Sequence, residues 1–338
     1  MQSHQPLVAV VIPCYRVRAH ILRVLERIGP EVKLIYVVDD ACPENSGRFV
    51  EQNTADPRVR VIYNKENQGV GGATIAGMKQ AVKDGAEVII KIDGDGQMDP
   101  AFIPSFAGII VSGEADYAKG NRFFELEGLK SMPIGRLIGN AGLSFLAKLS
   151  SGYWHTFDPT NGFIAIHTRV IEALPLEKVS RGYFFESDLL FHLNLLAARV
   201  VDVPMYAHYA DEVSNIKPLH EIPRFVAAHL KNFAKRIFYN YFLRNFSLAS
   251  VELALGVSLI AFGIAYGLTH WDTDTPATAG TVMVAALPII IGAQLLLAFL
   301  NYDIQSVPNI PIHPRLVASR RPMRALRQRD TMMASSES

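Results

Sequence analysis

The sequence has few cysteines and almost no net charge, and both shortages narrow the class of protein. Only two cysteines occur in 338 residues, Cys14 and Cys42, and neither belongs to a CxxC motif or a cysteine–histidine cluster. Two isolated cysteines predict reduced, cytosolic thiols, with a structural disulfide between them as the less favoured alternative. The formal net charge is +1, so no global charge imbalance indicates a nucleic-acid partner.

The N-terminus also lacks the features of a secretory signal. The stretch MQSHQPLVAVVIP has no basic region, and its apolar run is too short for a signal peptide. We therefore expect the N-terminal part of the chain to stay in the cytoplasm.

Charge is almost absent from two stretches in the last third of the chain. Leu248–Leu268 contains one charged residue, Glu252, and Ala279–Leu300 contains none. Each stretch is long enough to cross a hydrocarbon layer of about 30 Å as a helix. Basic residues flank the pair on both sides, and the loop between carries two aspartates and no lysine or arginine. The positive-inside rule then predicts a multi-pass protein of the inner (cytoplasmic) membrane with both termini in the cytoplasm. The alternative is a buried helical hairpin of a soluble protein.

The first 120 residues alternate between short apolar runs and segments with helical spacing. The apolar runs predict strands at Leu7–Pro13, Lys33–Asp40, Val59–Tyr63 and Glu87–Asp93. The intervening segments predict helices at Val17–Ile28, Gly47–Asn53 and Gly72–Lys83, and a fourth helix from Pro100. Strands that are apolar on both faces and alternate with helices predict an α/β fold whose mostly parallel sheet is covered on both sides.

Composition divides the chain into four parts. Residues 1–218 carry the α/β pattern and are expected to form one domain. Residues 219–246 are basic and aromatic, and the segment Glu221–Phe246 within them predicts an amphipathic interfacial helix. Residues 247–301 contain the two apolar stretches, which we expect to be transmembrane helices, and residues 302–338 are expected to form a cytoplasmic basic tail.

One acidic turn, KIDGDGQMDP, follows the fourth predicted strand. An EF-hand loop needs glycine at its sixth position and glutamate at its twelfth, where this sequence has Met98 and Pro104. Two carboxylates separated by one residue, Asp93 and Asp95, suit Mg²⁺ or Mn²⁺ that stays partly hydrated, and Gln97 adds a further oxygen. The alternative is a turn of solvated acids.

Two further features fall at strand ends, where ligands bind in parallel sheets. Asp39 and Asp40 end the second strand, so we expect four carboxylates to converge, with their charge offset by a cation or by hydrogen-bond donors. The stretch NQGVGGA, which includes Asn67 and Gly69, is a glycine-rich helix entry able to present backbone N–H groups to a phosphate. No Walker lysine follows it, and an ordinary helix start is the alternative.

Several motifs, taken in order, resemble those of family 2 glycosyltransferases with the GT-A fold. They are P-C-Y near the N-terminus, VVDDACPENS, NKENQGVGGATIAGMKQA, IDGDGQMDP, KGNRF, DPTNGF and GYFFESDLL. The resemblance covers roughly residues 7–215. It is greatest to the polyprenyl-phosphate monosaccharide synthases, the branch of dolichol-phosphate mannose synthases and bacterial undecaprenyl-phosphate glucosyltransferases.

The resemblance implies a nucleotide pocket with a metal ion. The residues implied for the nucleotide are Pro13, Tyr15, Asp39, Asp40, Asn67, Gly69, Asp93 and Asp95. Asp93, Asp95 and Gln97 would hold the Mg²⁺ or Mn²⁺ ion that bridges the diphosphate of a UDP- or GDP-linked sugar.

Four more residues are implied for the acceptor and the reacting centre. Arg122 and Arg136 would meet the acceptor phosphate, because arginine forks match phosphate geometry; surface ion pairing is the alternative. Asp188, with Glu186, matches the family's acidic position near the reacting centre, and a solvated first helical turn is the alternative.

The sequence also departs from the family pattern. Ile164 stands where many relatives carry arginine, and Ser214 and Lys217 stand where dolichol-type members have an arginine and a glycine–serine–lysine pattern. These departures imply a subgroup whose sugar differs from mannose or glucose, without naming that sugar.

The resemblance implies inverting, metal-dependent transfer of one monosaccharide from a nucleotide-diphosphate sugar to polyprenyl phosphate at the cytoplasmic membrane face. One alternative is a family 2 transferase acting on a lipid diphosphate, a polysaccharide or a protein. Processive synthases carry a QxxRW motif, which neither Trp154 nor Trp271 follows. Another alternative is a non-catalytic, membrane-anchored nucleotide-sugar-binding protein. The sequence leaves the nucleotide, the lipid length and the formation of a homo-oligomer open.

Overall fold

The computed structural model describes residues 6–124, 134–205, 218–271 and 276–316. Side chains are described throughout these ranges except at 134–138, 140 and 218–221. The predictions for Ser214 and Lys217 lie outside the described residues.

Seven strands form one sheet in the first part of the chain. They are β1 Val8–Cys14, β2 Val32–Asp39, β3 Val59–Tyr63, β4 Val88–Lys91, β5 Tyr117–Asn121, β6 Ile164–His167 and β7 Val200–Pro204. Their order across the sheet is β3-β2-β1-β4-β6-β5-β7. β6 is antiparallel to both of its neighbours, and the other pairings are parallel. The predicted α/β fold with a mostly parallel sheet is confirmed.

Helices connect the strands and continue beyond the sheet. They are α1 Ile21–Glu26, α2 Ser46–Asn53, α3 Gly69–Lys83, α4 Ile103–Val111, α5 Ile134–Ser151, α6 Thr168–Ala173, α7 Phe185–Leu195, α8 Pro218–Phe238, α9 Leu248–Thr269 and α10 Ala279–Gln305. A 3₁₀ turn over Pro100–Phe102 precedes α4, and a π-helical segment over Tyr239–Arg244 follows α8.

Both faces of the sheet are covered, as its apolar strands require. Every residue of β1 is buried, and β2 is buried except at Lys33. One face packs with α1 and α4 in a cluster that includes Phe106 and Phe163, whose ring centroids are 4.2 Å apart. On the other face α3 approaches so closely that a Cβ at Gly77 would lie 2.4 Å from Val11. Because the faces are covered, ligands are left with the edge where the parallel strands end.

The start of the first helix differs from the prediction. The sequence predicts a helix over Val17–Ile28, but α1 begins only at Ile21. Arg16 has a φ of 58°, in the left-handed region, and a turn follows it before the helix starts. The predicted N-terminal boundary is therefore wrong.

The juxtamembrane helix also differs from the prediction. The sequence predicts one helix over Glu221–Phe246, but α8 ends at Phe238 and continues in π-helical form. The hydroxyl of Ser250 donates a hydrogen bond to the carbonyl of Tyr241. This bond satisfies a carbonyl that a continuous α-helix would use internally, so the wider turn is stabilised from outside.

The chain divides into two compact units. One comprises Met1–Leu230 with Pro308–Ser338, and the other comprises Lys231–Val307. The sheet belongs to the first unit, and α9 and α10 belong to the second. The chain therefore returns to the first unit after the two long apolar helices.

Helices α9 and α10 are long and apolar enough to span a membrane. They contain 22 and 27 residues, which is about 33 Å and 40 Å at the rise of an α-helix. Of their most apolar windows only 22% and 11% is buried, unlike the core helices of a soluble protein. Small residues allow close packing between them, since a Cβ at Gly263 would lie 2.6 Å from the carbonyl oxygen of Ala285. These features support the predicted transmembrane hairpin.

Candidate active site

The carboxyl ends of three central strands meet at one edge of the sheet. Cys14 at the end of β1 is paired with Asp39 at the end of β2, and Val11 of β1 is paired with Lys91 at the end of β4. Cys14 and Cys42 are both buried, and both are free thiols. The predicted nucleotide and metal residues therefore begin from neighbouring strand ends.

Pro13 and Tyr15 lie at the end of β1. Pro13 is buried within the strand, whereas Tyr15, just beyond it, is 43% exposed. The guanidinium of Arg16 lies 5.4 Å from the centroid of the Tyr15 ring. The edge thus presents a flat aromatic surface on which a planar base can stack.

Asp39 binds the start of α2. Its carboxylate is buried and accepts hydrogen bonds from the backbone N–H groups of Cys42 at 2.7 Å and Gly47 at 2.6 Å. N–H groups at the start of a helix lack intrahelical partners, so the carboxylate satisfies them and is stabilised in return. Hydrogen-bond donors offset the charge of Asp39 in this structure.

Asp40 binds the glycine-rich entry to α3. Its Oδ1 accepts hydrogen bonds from Asn64 Nδ2 at 2.7 Å and from the N–H of Gln68 at 2.9 Å, and its Oδ2 accepts from the N–H of Gly69 at 2.8 Å. Gly69 has a φ of 79°, which favours glycine, and its N–H also lies 3.0 Å from Asn67 Oδ1. Two N–H groups that the sequence offers to a phosphate are therefore bound to Asp40.

The acidic turn after β4 places its carboxylates near solvent. Asp93, Asp95 and Gln97 are all partly buried. Asp95 Oδ1 accepts a hydrogen bond from the N–H of Gln97 at 2.9 Å, across Gly96 with its φ of 81°. Asp99 instead caps the following 3₁₀ turn.

Lys91 was not predicted as a site residue. Its Nζ lies 2.7 Å from Asp93 Oδ1 and 3.0 Å from Glu186 Oε1, and its side chain is 1% exposed. Burial alone would lower the pKa of Lys91, but the two carboxylates outweigh burial and raise it above its ordinary value. Burial raises the pKa of Glu186, and Lys91 offsets this in part. The sequence did hold a signal, because a lysine within the apolar strand EVIIKID needs a carboxylate partner when buried.

Glu186 and Asp188 lie in the first turn of α7 and are both buried. Asp188 Oδ2 accepts a hydrogen bond from the backbone N–H of Ser180 at 2.7 Å and lies 4.0 Å from His192 Nε2. The alternative of a solvated helical turn is therefore wrong.

Arg122 forms a bidentate ion pair with a buried carboxylate. Its Nε and Nη2 lie 2.7 Å from Asp158 Oδ2 and Oδ1, and Asp158 is 2% exposed. Burial alone would raise the pKa of Asp158, but Arg122 outweighs it and holds the pKa below its ordinary value. Arg122 is thus ion-paired with a buried partner rather than at the surface, and its role toward a phosphate stays a prediction. The side chain of Arg136 lies outside those that the structure describes.

A second buried lysine, Lys119 of β5, was also not predicted. Its Nζ donates to the carbonyls of Gly120 and Phe157 and lies 3.1 Å from Asp202 Oδ1. Burial lowers the pKa of Lys119, and Asp202 offsets this only in part. This lysine anchors the loop before β6 to β5 and β7.

Among the residues that the structure describes, no three acidic, histidine or cysteine side chains are grouped as a metal site. The sequence allowed the charge of the acids at this edge to be offset by a cation or by hydrogen-bond donors, and the donors are present. Asp39 and Asp40 bind backbone N–H groups, and Asp93 binds Lys91. The two-carboxylate turn of Asp93 and Asp95 is what this edge presents toward solvent.

Comparison with known proteins identifies one matching family and several similar enzymes. Residues 9–174 match the family described as Glycosyl transferase family 2. The chain is 27% identical over 219 residues to UDP-N-acetylglucosamine–dolichyl-phosphate N-acetylglucosaminyltransferase of Methanococcus voltae, a match that covers 61% of this chain and 87% of that protein. It is 29% identical over 202 residues to undecaprenyl-phosphate mannosyltransferase of Micrococcus luteus, covering 59% and 82%. It is also 29% identical over 202 residues to polyprenol monophosphomannose synthase of Mycolicibacterium smegmatis, covering 58% and 75%.

A solved structure shares the fold. Glucosyl-3-phosphoglycerate synthase from Mycobacterium tuberculosis, in complex with Mn²⁺, uridine diphosphate and glucosyl-3-phosphoglycerate, superposes with a TM-score of 0.51. It is 19% identical, and the match covers 68% of this chain and 80% of that chain. The sheet is therefore of the GT-A type.

These findings define the class of protein. Residues 9–174 form a family 2 glycosyltransferase domain, and the protein, like the similar proteins named above, is a glycosyltransferase. Its relatives include transferases named for undecaprenyl and dolichyl phosphate, so the resemblance to the polyprenyl-phosphate branch is confirmed.

Proposed function

We propose that this protein transfers one monosaccharide from a nucleoside-diphosphate sugar to polyprenyl phosphate at the cytoplasmic face of the membrane, inverting the anomeric carbon. One observation carries the proposal: a family 2 domain stands in the same chain as two helices long and apolar enough to span a membrane. The names of three similar proteins support a polyprenyl-phosphate acceptor.

The residues after β4 fit a divalent ion. Asp93, Asp95 and Gln97 offer the oxygen ligands that Mg²⁺ and Mn²⁺ prefer, and their partial burial leaves room for water and a diphosphate. A bound ion would offset the negative charge that grows on the leaving nucleoside diphosphate. The Mn²⁺ and uridine diphosphate bound by the structural neighbour support this assignment.

Other residues at this edge are proposed to shape the donor pocket. The exposed ring of Tyr15 would stack on the base, and buried Pro13 would form the wall beside it. Asp39 and Asp40 would act by holding their loops, since their oxygens accept backbone N–H groups. Gly69 would let the backbone approach the nucleotide closely.

The acceptor needs orientation more than it needs a base. A phosphate monoester has a second pKa of about 6, so it is largely ionised near pH 7. Arg122 and Arg136 are proposed to orient it. Asp158 already fixes the direction of the Arg122 guanidinium, which reduces the ordering needed when the phosphate arrives.

The buried acids of α7 are proposed to act on the sugar. Positive charge develops on the anomeric carbon as its bond to the diphosphate breaks, and Glu186 and Asp188 supply negative charge nearby. Lys91 and the N–H of Ser180 hold these two carboxylates in place. Attack from the face opposite the leaving group produces inversion.

Membrane anchoring explains how the two substrates meet. The donor is soluble and the acceptor is confined to the bilayer, so a catalytic domain tethered by α9 and α10 works at a high local concentration of acceptor. We propose that the catalytic domain and both termini face the cytoplasm, with 219–246 at the interface and the basic residues of 302–338 on the cytoplasmic side, where Ile312 and His313 bind Asp116 of the catalytic domain.

A donor panel tests the proposal. Purified full-length protein in lipid nanodiscs, supplied with undecaprenyl phosphate, Mg²⁺ or Mn²⁺ and a set of UDP- and GDP-linked sugars, should form a lipid-linked sugar from at least one donor. If the folded protein formed no lipid-linked sugar from any verified donor, the proposal would be refuted. If the sugar were found only on a lipid diphosphate or only on a protein, that molecule would be the acceptor and polyprenyl phosphate would not.

A matched pair of variants tests the metal assignment. Asp95→Asn should lower turnover by about a hundredfold or more, because a ligand charge at the leaving group is lost. Asp99→Asn removes an acid from the same turn that serves as a cap, so it should retain most turnover. If Asp95→Asn retained as much turnover as Asp99→Asn, Asp95 would not be a metal ligand.

A further inference from the structure

A buried bridge joins the two acidic elements of the site. Lys91 at the end of β4 contacts Asp93 in the following turn and Glu186 in the first turn of α7, at 2.7 Å and 3.0 Å. The side-chain exposures are 1% for Lys91, 9% for Glu186 and 29% for Asp93. The bridge therefore runs from the protein interior to the edge where the donor is proposed to bind.

The space beside the bridge exists because residue 162 is glycine. A Cβ at Gly162 would lie 2.4 Å from Lys91 Nζ and 2.5 Å from Asp93 Oδ2. The backbone is held on both sides of Gly162, since the N–H of Asn161 donates to the carbonyl of Asp158 at 3.1 Å and the carbonyl of Phe163 accepts from the N–H of Gly120 at 2.9 Å. Any side chain at this position would displace the ammonium or the Asp93 carboxylate.

We propose that Lys91 is a positioning residue for the transfer reaction. Its ammonium holds Asp93 in the orientation that faces the cation site and holds Glu186 beside the reacting centre. Gly162 is glycine because the bridge occupies the space of its side chain. This inference rests on the proposed donor site, and it does not depend on which acceptor the enzyme uses.

Positioning and simple charge make opposite predictions for metal affinity. A lysine that acted only through its charge would repel a nearby cation, so removing it would tighten Mn²⁺ binding. A lysine that positions Asp93 keeps its carboxylate and the buried carboxylate of Glu186 from repelling each other. Without Lys91 the carboxylates must be ordered when the ion binds, so Mn²⁺ binding would weaken.

Two variants separate charge from geometry. Lys91→Met removes the ammonium at similar side-chain length, whereas Gly162→Ala keeps every charge and displaces the bridge. Electron paramagnetic resonance of Mn²⁺ is measured on the full-length protein in micelles, with uridine diphosphate and, separately, guanosine diphosphate. With the nucleotide that supports binding in the wild type, both variants should bind Mn²⁺ about fivefold or more weakly. In turnover assays kcat should fall about tenfold or more, with a smaller change in the KM of the donor.

Each variant has a matched control. Arg236→Met removes an equally buried cation whose carboxylate partner is Asp303, in the other unit of the chain. Gly108→Ala adds a methyl group at a position with no atom within 4 Å of the new Cβ. Both controls should bind Mn²⁺ within about twofold of the wild type, because neither touches the bridge.

The outcomes are distinct. Unchanged or tighter Mn²⁺ binding in Lys91→Met, or wild-type binding in folded Gly162→Ala, overturns the inference. If Lys91→Met fails to fold, Gly162→Ala decides alone. Wild-type protein that binds no Mn²⁺ with either uridine diphosphate or guanosine diphosphate present also overturns it. Weakened Mn²⁺ binding in both variants, with no lipid-linked product from the wild type, contradicts the proposed acceptor and supports the positioning role.

Discussion

One buried carboxylate, Asp116, holds the segment after α10 against the sheet of the first unit. Asp116 is fully buried and accepts hydrogen bonds from the N–H groups of Arg199 at 2.7 Å, Ile312 at 2.9 Å and His313 at 2.9 Å. The His313 ring nitrogen Nδ1 lies 2.7 Å from the same carboxylate, and its ring stacks on His167 at 4.3 Å between centroids. Asp116→Asn should therefore loosen the segment and destabilise the domain.

The size of the effect follows from these bonds. Asparagine keeps one oxygen and turns an NH₂ group toward the N–H of either Arg199 or His313, so one buried N–H loses its acceptor. The N–H of Ile312 reaches both oxygens and keeps one of them, but its bond is no longer to a charged group. Hydrogen bonds to a charged group contribute about 1.5–3 kcal/mol each, and these contributions are not additive. We expect a loss of about 3 kcal/mol in the free energy of unfolding, or about 6–12 °C in Tm for a domain of this size.

A double-mutant cycle measures the effect in full-length protein. His313→Phe keeps the stacked ring and removes the Nδ1 bond, so the loss in the double variant should be smaller than the sum by about 1 kcal/mol or more. Thermal unfolding gives the free energies, and the rate of tryptic cleavage after Arg315 reports release of the segment. Losses that add to within about 0.5 kcal/mol, with unchanged cleavage, would refute the reasoning.

Three further predictions concern other parts of the chain. Burial lowers the pKa of His167 to about 4. The neutral imidazole should therefore contribute to the free energy of unfolding at pH values above the unfolded pKa of about 6.5. This contribution should be lost as the pH falls from about 6.5 through 4. Urea unfolding at pH 7 and pH 5 checks this, and a His167→Phe variant with the same pH dependence would contradict it. The Arg122→Lys variant cannot form a bidentate ion pair with Asp158, so its free energy of unfolding should fall by about 2 kcal/mol. An unchanged Tm would contradict a stabilising role of this ion pair. Gly263→Ala should destabilise the helical hairpin, whereas Gly267→Ala, whose nearest neighbour would lie 3.7 Å away, should not; equal melting of the two in detergent would contradict close packing at Gly263.

The sheet was largely predictable from local sequence. The prediction for β3 matches its observed bounds, and those for β1, β2 and β4 agree within two residues at each end. An apolar run bounded by turn residues reflects burial along a short piece of chain, and this signal does not need the rest of the fold. The antiparallel direction of β6 was not predicted, because pairing direction depends on distant segments.

The candidate site was predictable in place but not in detail. Acids at strand ends were expected to share one edge, and parallel pairing puts them there. Their partners were not expected: Asp40 binds the N–H of Gly69, 29 positions away, and Lys91 binds Glu186, 95 positions away. Hydrogen bonds of this kind form between groups that only the folded chain brings together.

The amino-acid sequence alone specified a family 2 transferase domain and two apolar stretches long enough to cross a membrane. Motif order, strand spacing and the absence of charge are properties of the linear chain, so they are readable without coordinates. Only the tertiary structure decided how the charges are shared. It assigned Asp39 and Asp40 to backbone N–H groups, and it placed Lys91 within 3.0 Å of two carboxylates. The physical reason is that a buried charge is stable only beside an opposite charge or a donor in space, and that neighbour is chosen by folding rather than by position in the sequence.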